Sequence, residues 1–107
     1  MAVRVAFEGG APEEAAMLFL SNYKIVGDRS VEHTKALMAL FAERGKNPGE
    51  IAHYVNVDGT GGTVISENAD AADLHDVALA YSPWLEIEVK PILMIDDAVP
   101  ALLKYFS

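Results

Sequence analysis

The stretch that decides the fold is IAHYVNVDGTGGTVISE, residues 51–67. Residues 51–58 alternate between two sides, as a half-buried strand does, and one side carries Ile51, His53, Val55 and Val57. DGTGG, residues 58–62, then predicts a tight turn, and residues 63–67 predict the next strand. Because so short a turn can join only antiparallel neighbours, the middle of the chain is a β-hairpin.

Upstream of this hairpin the sequence predicts a helix over residues 30–44. Ser30 can cap the free amides of its first turn, and Glu32 suits the positive end of the helix dipole. Gly45 is placed to adopt the left-handed conformation that ends many helices. Before this helix, MLFLSNYKIV, residues 17–26, is rich in aromatic and β-branched side chains and predicts a strand.

Downstream of the hairpin, residues 70–81 predict a second helix, capped by Asn68 or Asp70. WLEIEVKPIL, residues 84–93, then predicts a fourth strand in which apolar and charged side chains alternate. Pro91 cannot donate a hydrogen bond to a neighbouring strand, so we expect this strand at a sheet edge.

The sequence also predicts a last helix after the fourth strand. Asp96 and Asp97 open it, Val99, Leu102, Leu103 and Phe106 follow, and we expect Pro100 within its first turn.

The order strand, helix, strand, strand, helix, strand predicts an α+β fold of the ferredoxin-like, β-α-β-β-α-β type, with an antiparallel sheet. Right-handed crossovers place the first two helices on the same face of the sheet, which leaves the other face uncovered by this core. We expect residues 17–107 to form a single domain and residues 1–16 to be an N-terminal extension.

Composition limits the possible partners. The 107 residues carry a net charge of −8, which repels nucleic-acid phosphates and anionic lipid, so we expect neither nucleic acid nor a membrane as a partner. The chain has no cysteine, which excludes disulfides and thiolate chemistry and suits the cytoplasm. The N-terminus shows no apolar signal-peptide core, and no motif calls for a cofactor.

The fourth strand also carries a resemblance to a known family. Trp84-Leu85-Glu86-Ile87-Glu88-Val89-Lys90-Pro91-Ile92 resembles the closing strand of short bacterial proteins of unknown function in the superfamily of dimeric α+β barrels. Met17-Leu18-Phe19 and Ala42-Glu43-Arg44-Gly45 are similar to the same family. The resemblance implies a homodimer in which two sheets face each other and form a barrel; it implies no activity.

Polar and aromatic side chains at predicted open-face positions are the candidate site. The ligand-pocket candidates are Asn22, Tyr54, Asn56, Trp84, Glu86 and Glu88, with Lys24 and Lys90 as charged neighbours. A pocket of mixed polarity is typical of small-molecule sites, but an interface rich in Tyr and Trp has the same composition. If a second subunit desolvates Glu86 or Glu88, the carboxyl pKa rises as a general acid requires; if not, these residues are a solvated strand face.

Other motifs point to no chemistry. DGTGGT, residues 58–63, is followed by a strand, whereas a phosphate-binding loop needs a helix N-terminus there. His33, His53 and His75 lack metal-ligand spacing, so we expect no metal site.

Two functions therefore follow from the sequence, and they belong to different classes. The first is an uncharacterised homodimeric domain that binds a small molecule or a partner. The alternative is a cofactor-independent monooxygenase or isomerase acting on a small organic substrate in the barrel cavity. Some barrel monooxygenases resemble this chain in an Asn on the first strand with a Trp and a His further on, here Asn22, Trp84 and His75. A haem- or metal-handling role ranks last.

Overall fold

The computed structural model describes residues 17–106, so the predicted extension over residues 1–16 lies outside the described residues. The elements in chain order are β1 (Leu18–Ile25), α1 (Val31–Arg44), β2 (Glu50–Val55), β3 (Gly61–Glu67), α2 (Ala71–Tyr81), β4 (Leu85–Ile92) and α3 (Ile95–Phe106). The predicted α+β order β-α-β-β-α-β is confirmed, with a third helix after it.

The strands form one four-stranded antiparallel sheet in the order β2-β3-β1-β4. β4 is therefore an edge strand, as Pro91 predicts, because proline lacks the N–H that an inner strand needs. The hairpin of β2 and β3 forms one side of the sheet, and β1 lies between β3 and β4.

The core lies between the sheet and the first two helices. Leu37 of α1, Tyr81 of α2 and Leu85 of β4 form its buried centre. Tyr23 and Ile87 pack against this cluster from the same face of the sheet. We call this the helix face; the alternate side chains of each strand form the open face.

The predicted helix caps are confirmed. The Ser30 hydroxyl accepts a hydrogen bond from the His33 amide, 3.2 Å away, and Asp70 accepts one from the Ala72 amide at 2.9 Å. Gly45 ends α1 as predicted and donates its N–H to the Phe41 carbonyl oxygen, but its φ of +70° and ψ of −149° differ from the predicted left-handed helical conformation.

The hairpin differs from the prediction at its turn. β2 ends at Val55, and Gly61 and Gly62 belong to β3 rather than to the turn. Both glycines are buried, because β1 approaches them so closely that a Cβ atom at Gly61 would meet the Tyr23 carbonyl oxygen. The glycines therefore serve strand packing.

The last helix differs from the prediction in two respects. It begins at Ile95, which places Pro100 in the helix interior instead of the first turn. None of its residues is buried, although its apolar side chains fall on one side. α3 therefore contributes nothing to the core that α1 and α2 share.

Candidate functional site

A row of polar side chains crosses the open face of the whole sheet. Strand register places Glu88 of β4 beside Asn22 of β1, Asn22 beside Thr63 of β3, and Thr63 beside Tyr54 of β2. The row is called the polar row below. Three of the predicted site residues, Asn22, Tyr54 and Glu88, therefore lie together, although they come from three strands.

A hydrogen bond inside the row fixes the orientation of Asn22. The Thr63 hydroxyl donates to Asn22 Oδ1 over 2.6 Å. Within residues 17–106 no group accepts a hydrogen bond from Asn22 Nδ2. The amide nitrogen is therefore available to a ligand as a hydrogen-bond donor.

Charged side chains lie next to the polar row. Lys24 and Glu86 are partners in the strand register and lie one row further along the open face. Together with Asn22 and Glu88 they line an open cleft of about 490 Å³. Binding pockets for small molecules occupy roughly 300–1,000 Å³, so this cleft has the size of a ligand site.

The structure places the other two candidates away from the polar row. Asn56 follows β2 in the hairpin turn, where its Nδ2 donates to the Thr60 hydroxyl over 3.0 Å. Trp84 packs on the helix face, where its indole N–H donates to the His33 carbonyl oxygen over 3.0 Å. The prediction that Trp84 shares the open face thus differs from the structure, because Trp84 precedes β4 and closes the end of the core.

The monooxygenase-like set is not brought together. Asn22 lies on the open face, Trp84 packs on the opposite face, and His75 is an exposed residue of α2. No single cavity can therefore contain all three side chains.

A second polar cluster lies on the helix face, and the sequence did not predict it. The Tyr23 hydroxyl and His53 Nε2 are 2.7 Å apart and share a hydrogen bond. On the other side of the imidazole, Nδ1 lies 4.0 Å from a Glu50 carboxylate oxygen, which accepts hydrogen bonds from Asn47. The order Tyr–His–Glu is one that proton-transfer sites also use.

The size of the cavity beside Tyr23 and His53 limits the chemistry that this cluster can perform. Tyr23 and His53 border a cavity of about 40 Å³ whose remaining lining is mostly apolar. Pockets for small molecules occupy roughly 300–1,000 Å³, so the cavity has room for a few water molecules at most and not for an organic substrate. We therefore interpret the Tyr23–His53 hydrogen bond as a structural contact that links the edge strand β2 to the core.

Because of this hydrogen bond, we expect the effect of Tyr23→Phe on the free energy of unfolding to depend on pH. Burial, and next the negative charge of Glu50, raises the pKa of the Tyr23 phenol above its ordinary value. A raised folded-state pKa stabilises the fold below the unfolded pKa, about 10, and this contribution is lost as the pH rises through the folded value. We expect Tyr23→Phe to lower the free energy of unfolding by about 1 kcal/mol at pH 8 and by less above pH 10 or so.

Urea denaturation at several pH values measures this difference. Equal midpoints for wild type and Tyr23→Phe at pH 8 would show that the hydrogen bond to His53 contributes no stability.

Within residues 17–106 no group of three or more His, Cys, Asp and Glu side chains is arranged to hold a metal ion. In the same range, no helix has the length and apolar character to cross a membrane.

Comparison with known proteins gives one family. The model of a family described as a domain of unknown function, DUF3303, matches residues 17–106. No curated protein matches the chain.

Proposed function

This chain belongs to the DUF3303 family, and from that premise and the geometry of its sheet we propose that it is a homodimeric domain that binds a small polar molecule. In this proposal two open faces meet about a twofold axis, as in the dimeric α+β barrels. The ligand lies between the two polar rows. The single observation that carries the proposal is the open face, with its polar row, on the side of the sheet opposite the core.

The open face has the composition of a surface that a second subunit covers. Toward the end of the sheet where β1 begins, it carries four neighbouring apolar side chains: Leu18, which is 8 % exposed, and the half-buried Leu20, Ile65 and Ile92. A contiguous apolar cluster on a sheet face is a surface that a second subunit can extend. In a twofold dimer each face meets an identical one, so the same residues serve both subunits.

The polar row determines the ligand chemistry. Asn22 Nδ2 offers hydrogen-bond donors, while the neighbouring carboxylates of Glu86 and Glu88 accept hydrogen bonds. Two ammoniums, Lys24 and Lys90, lie one row to either side of the polar row and balance the two carboxylates, so the local charge selects neither sign. We therefore infer a small polar molecule that both donates and accepts hydrogen bonds.

The proposal extends to the chain as a whole. We infer one domain over residues 17–107 preceded by an extension over residues 1–16, in a cytoplasmic protein. The absence of cysteine supports that compartment, because disulfides are the usual mark of small secreted domains.

Light scattering coupled to size exclusion tests the dimer. We expect wild type to have twice the chain mass at micromolar concentration and Ile92→Arg to elute as a folded monomer, because the new charge lies in the apolar end of the open face that the second subunit covers. Ile92 lies on the edge strand β4 and on the face opposite the core, so its replacement spares the core. Leu79→Arg is the matched control on α2, and we expect it to remain dimeric. A folded wild-type monomer would contradict the proposal.

A single thiol tests the chamber. Since the chain has no cysteine, Asn22→Cys places one thiol in the polar row. We expect a small methanethiosulfonate to react with it and a polymer-linked maleimide to be excluded, whereas exposed Glu32→Cys reacts with both. Equal reactivity of Cys at position 22 toward both reagents would show that no chamber encloses the row.

A further inference from the structure

The C-terminal arm, residues 93–106, presents an apolar stripe that is exposed in the part of the chain that the structure describes. Leu93, Leu102, Tyr105 and Phe106 are 66, 45, 72 and 83 % exposed. They line one shallow groove of about 540 Å³ along α3. An isolated helix of 12 residues is marginal in water, and amphipathic helices gain stability by packing their apolar side. The arm therefore requires a covering surface.

We propose that the arm of each subunit packs on the apolar end of the open face of a second copy of this chain, so that two arms are exchanged across the twofold axis. This inference rests on the proposed dimer. It adds that the arm covers the end of the face with Leu20, Ile65 and Ile92, and that the polar row remains open as the chamber.

The position of α3 favours a second copy over the arm's own sheet. Only Leu93 and Met94 separate β4 from α3, and the Asp97 amide donates a hydrogen bond to the Met94 carbonyl oxygen. None of the residues of α3 is buried, so the helix does not pack on the open face of its own sheet. The apolar stripe and the apolar end of the sheet therefore stay apart within residues 17–106, and a second copy can bring them together.

Charge complementarity fixes where the arm lies. Asp97 borders the apolar groove of the arm, between Leu93 and Ala101. Lys90 lies on the open face, in the row of Leu20 and Ile65. Neither residue forms an ion pair within residues 17–106. A charge that becomes covered needs a partner, and Asp97 of one copy beside Lys90 of the other satisfies both.

The two arms supply about half of the area that a standard interface buries. Aromatic side chains bury roughly 150–250 Å² each, so covering the exposed parts of the four large residues removes about 400 Å² per arm, or roughly 800 Å² for two. A standard specific interface buries roughly 1,600 Å², and the receiving faces and the rest of the interface contribute the remainder.

A charge exchange in the full-length protein tests the inference. We expect Asp97→Lys and Lys90→Asp each to raise the dimer dissociation constant about tenfold or more, and the double variant to restore it to within about threefold of wild type. Asp96→Lys is the matched control, since it makes the same change at the start of the same helix but outside the groove. We expect its dimer to match that of wild type.

Sedimentation equilibrium separates the possible failures. A wild-type monomer overturns the dimer and the arm exchange together. A stable wild-type dimer that either single variant leaves unchanged overturns the arm exchange alone. Single variants that weaken the dimer, with no recovery in the double variant, also overturn it, because Asp97 and Lys90 then do not meet.

Discussion

Gly61→Ala is expected to lower the free energy of unfolding by about 3 kcal/mol or more. A Cβ atom at this position would overlap the Tyr23 carbonyl oxygen and come within 2.9 Å of Lys24 Cα. Both obstacles are backbone atoms of β1, which is hydrogen-bonded on its other side to β4. β1 therefore cannot move away without breaking the sheet, and the midpoint of urea denaturation should fall accordingly.

Gly45→Ala is the control for this prediction. Gly45 ends α1 with φ +70°, but a Cβ atom there would meet nothing within 4 Å. Its replacement therefore costs only backbone strain, about 1–3 kcal/mol, because φ +70° with ψ −149° is a conformation that glycine alone adopts readily. If Gly61→Ala destabilises the protein no more than Gly45→Ala does, the close approach of β1 and β3 is wrong.

Leu37→Ala is expected to cost about 2–5 kcal/mol, because it removes the contribution of α1 to the buried core. Leu37 is 6 % exposed and packs with Tyr81 and Leu85 from the other two elements of the core. Truncation leaves a cavity that three separate elements would have to collapse to fill. Thermal and urea denaturation at one fixed protein concentration measure the loss.

Leu79→Ala makes the same chemical change on α2, where Leu79 is 59 % exposed. We expect it to change the stability by about 0.5 kcal/mol or less. Equal losses for the two variants would show that α1 is not anchored on the sheet through Leu37.

Much of the fold follows from local signals in the sequence. Ser30 and Asp70 cap the helices where their side chains predict, because capping depends only on residues within one turn. The alternation in β4 places Leu85 in the core and Glu86 on the open face, since side chains in a strand point alternately to its two faces.

The features that sequence did not reveal depend on contacts between strands. Gly61 and Gly62 have the composition of a turn, and only the approach of β1 shows that they belong to a strand. Likewise, the bond between Tyr23 and His53 requires the register of three strands, which neither residue signals locally. Asn22, Tyr54 and Glu88 are candidates from the sequence, but their alignment in one row with Thr63, which orients Asn22, depends on strand register, which the sequence does not specify.

The two edges of the sheet differ in how they resist lateral growth. β4 carries Pro91 one residue before its end and places the charged Glu86 and Glu88 on the open face, which discourages a further strand. β2 has no such protection: Ile51 and Val55 are 57 and 71 % exposed on its flank. Association of chains through β2 is opposed mainly by the electrostatic repulsion between chains of net charge −8, and salt screens that repulsion. Precipitation or fibre formation at high ionic strength would therefore begin at β2.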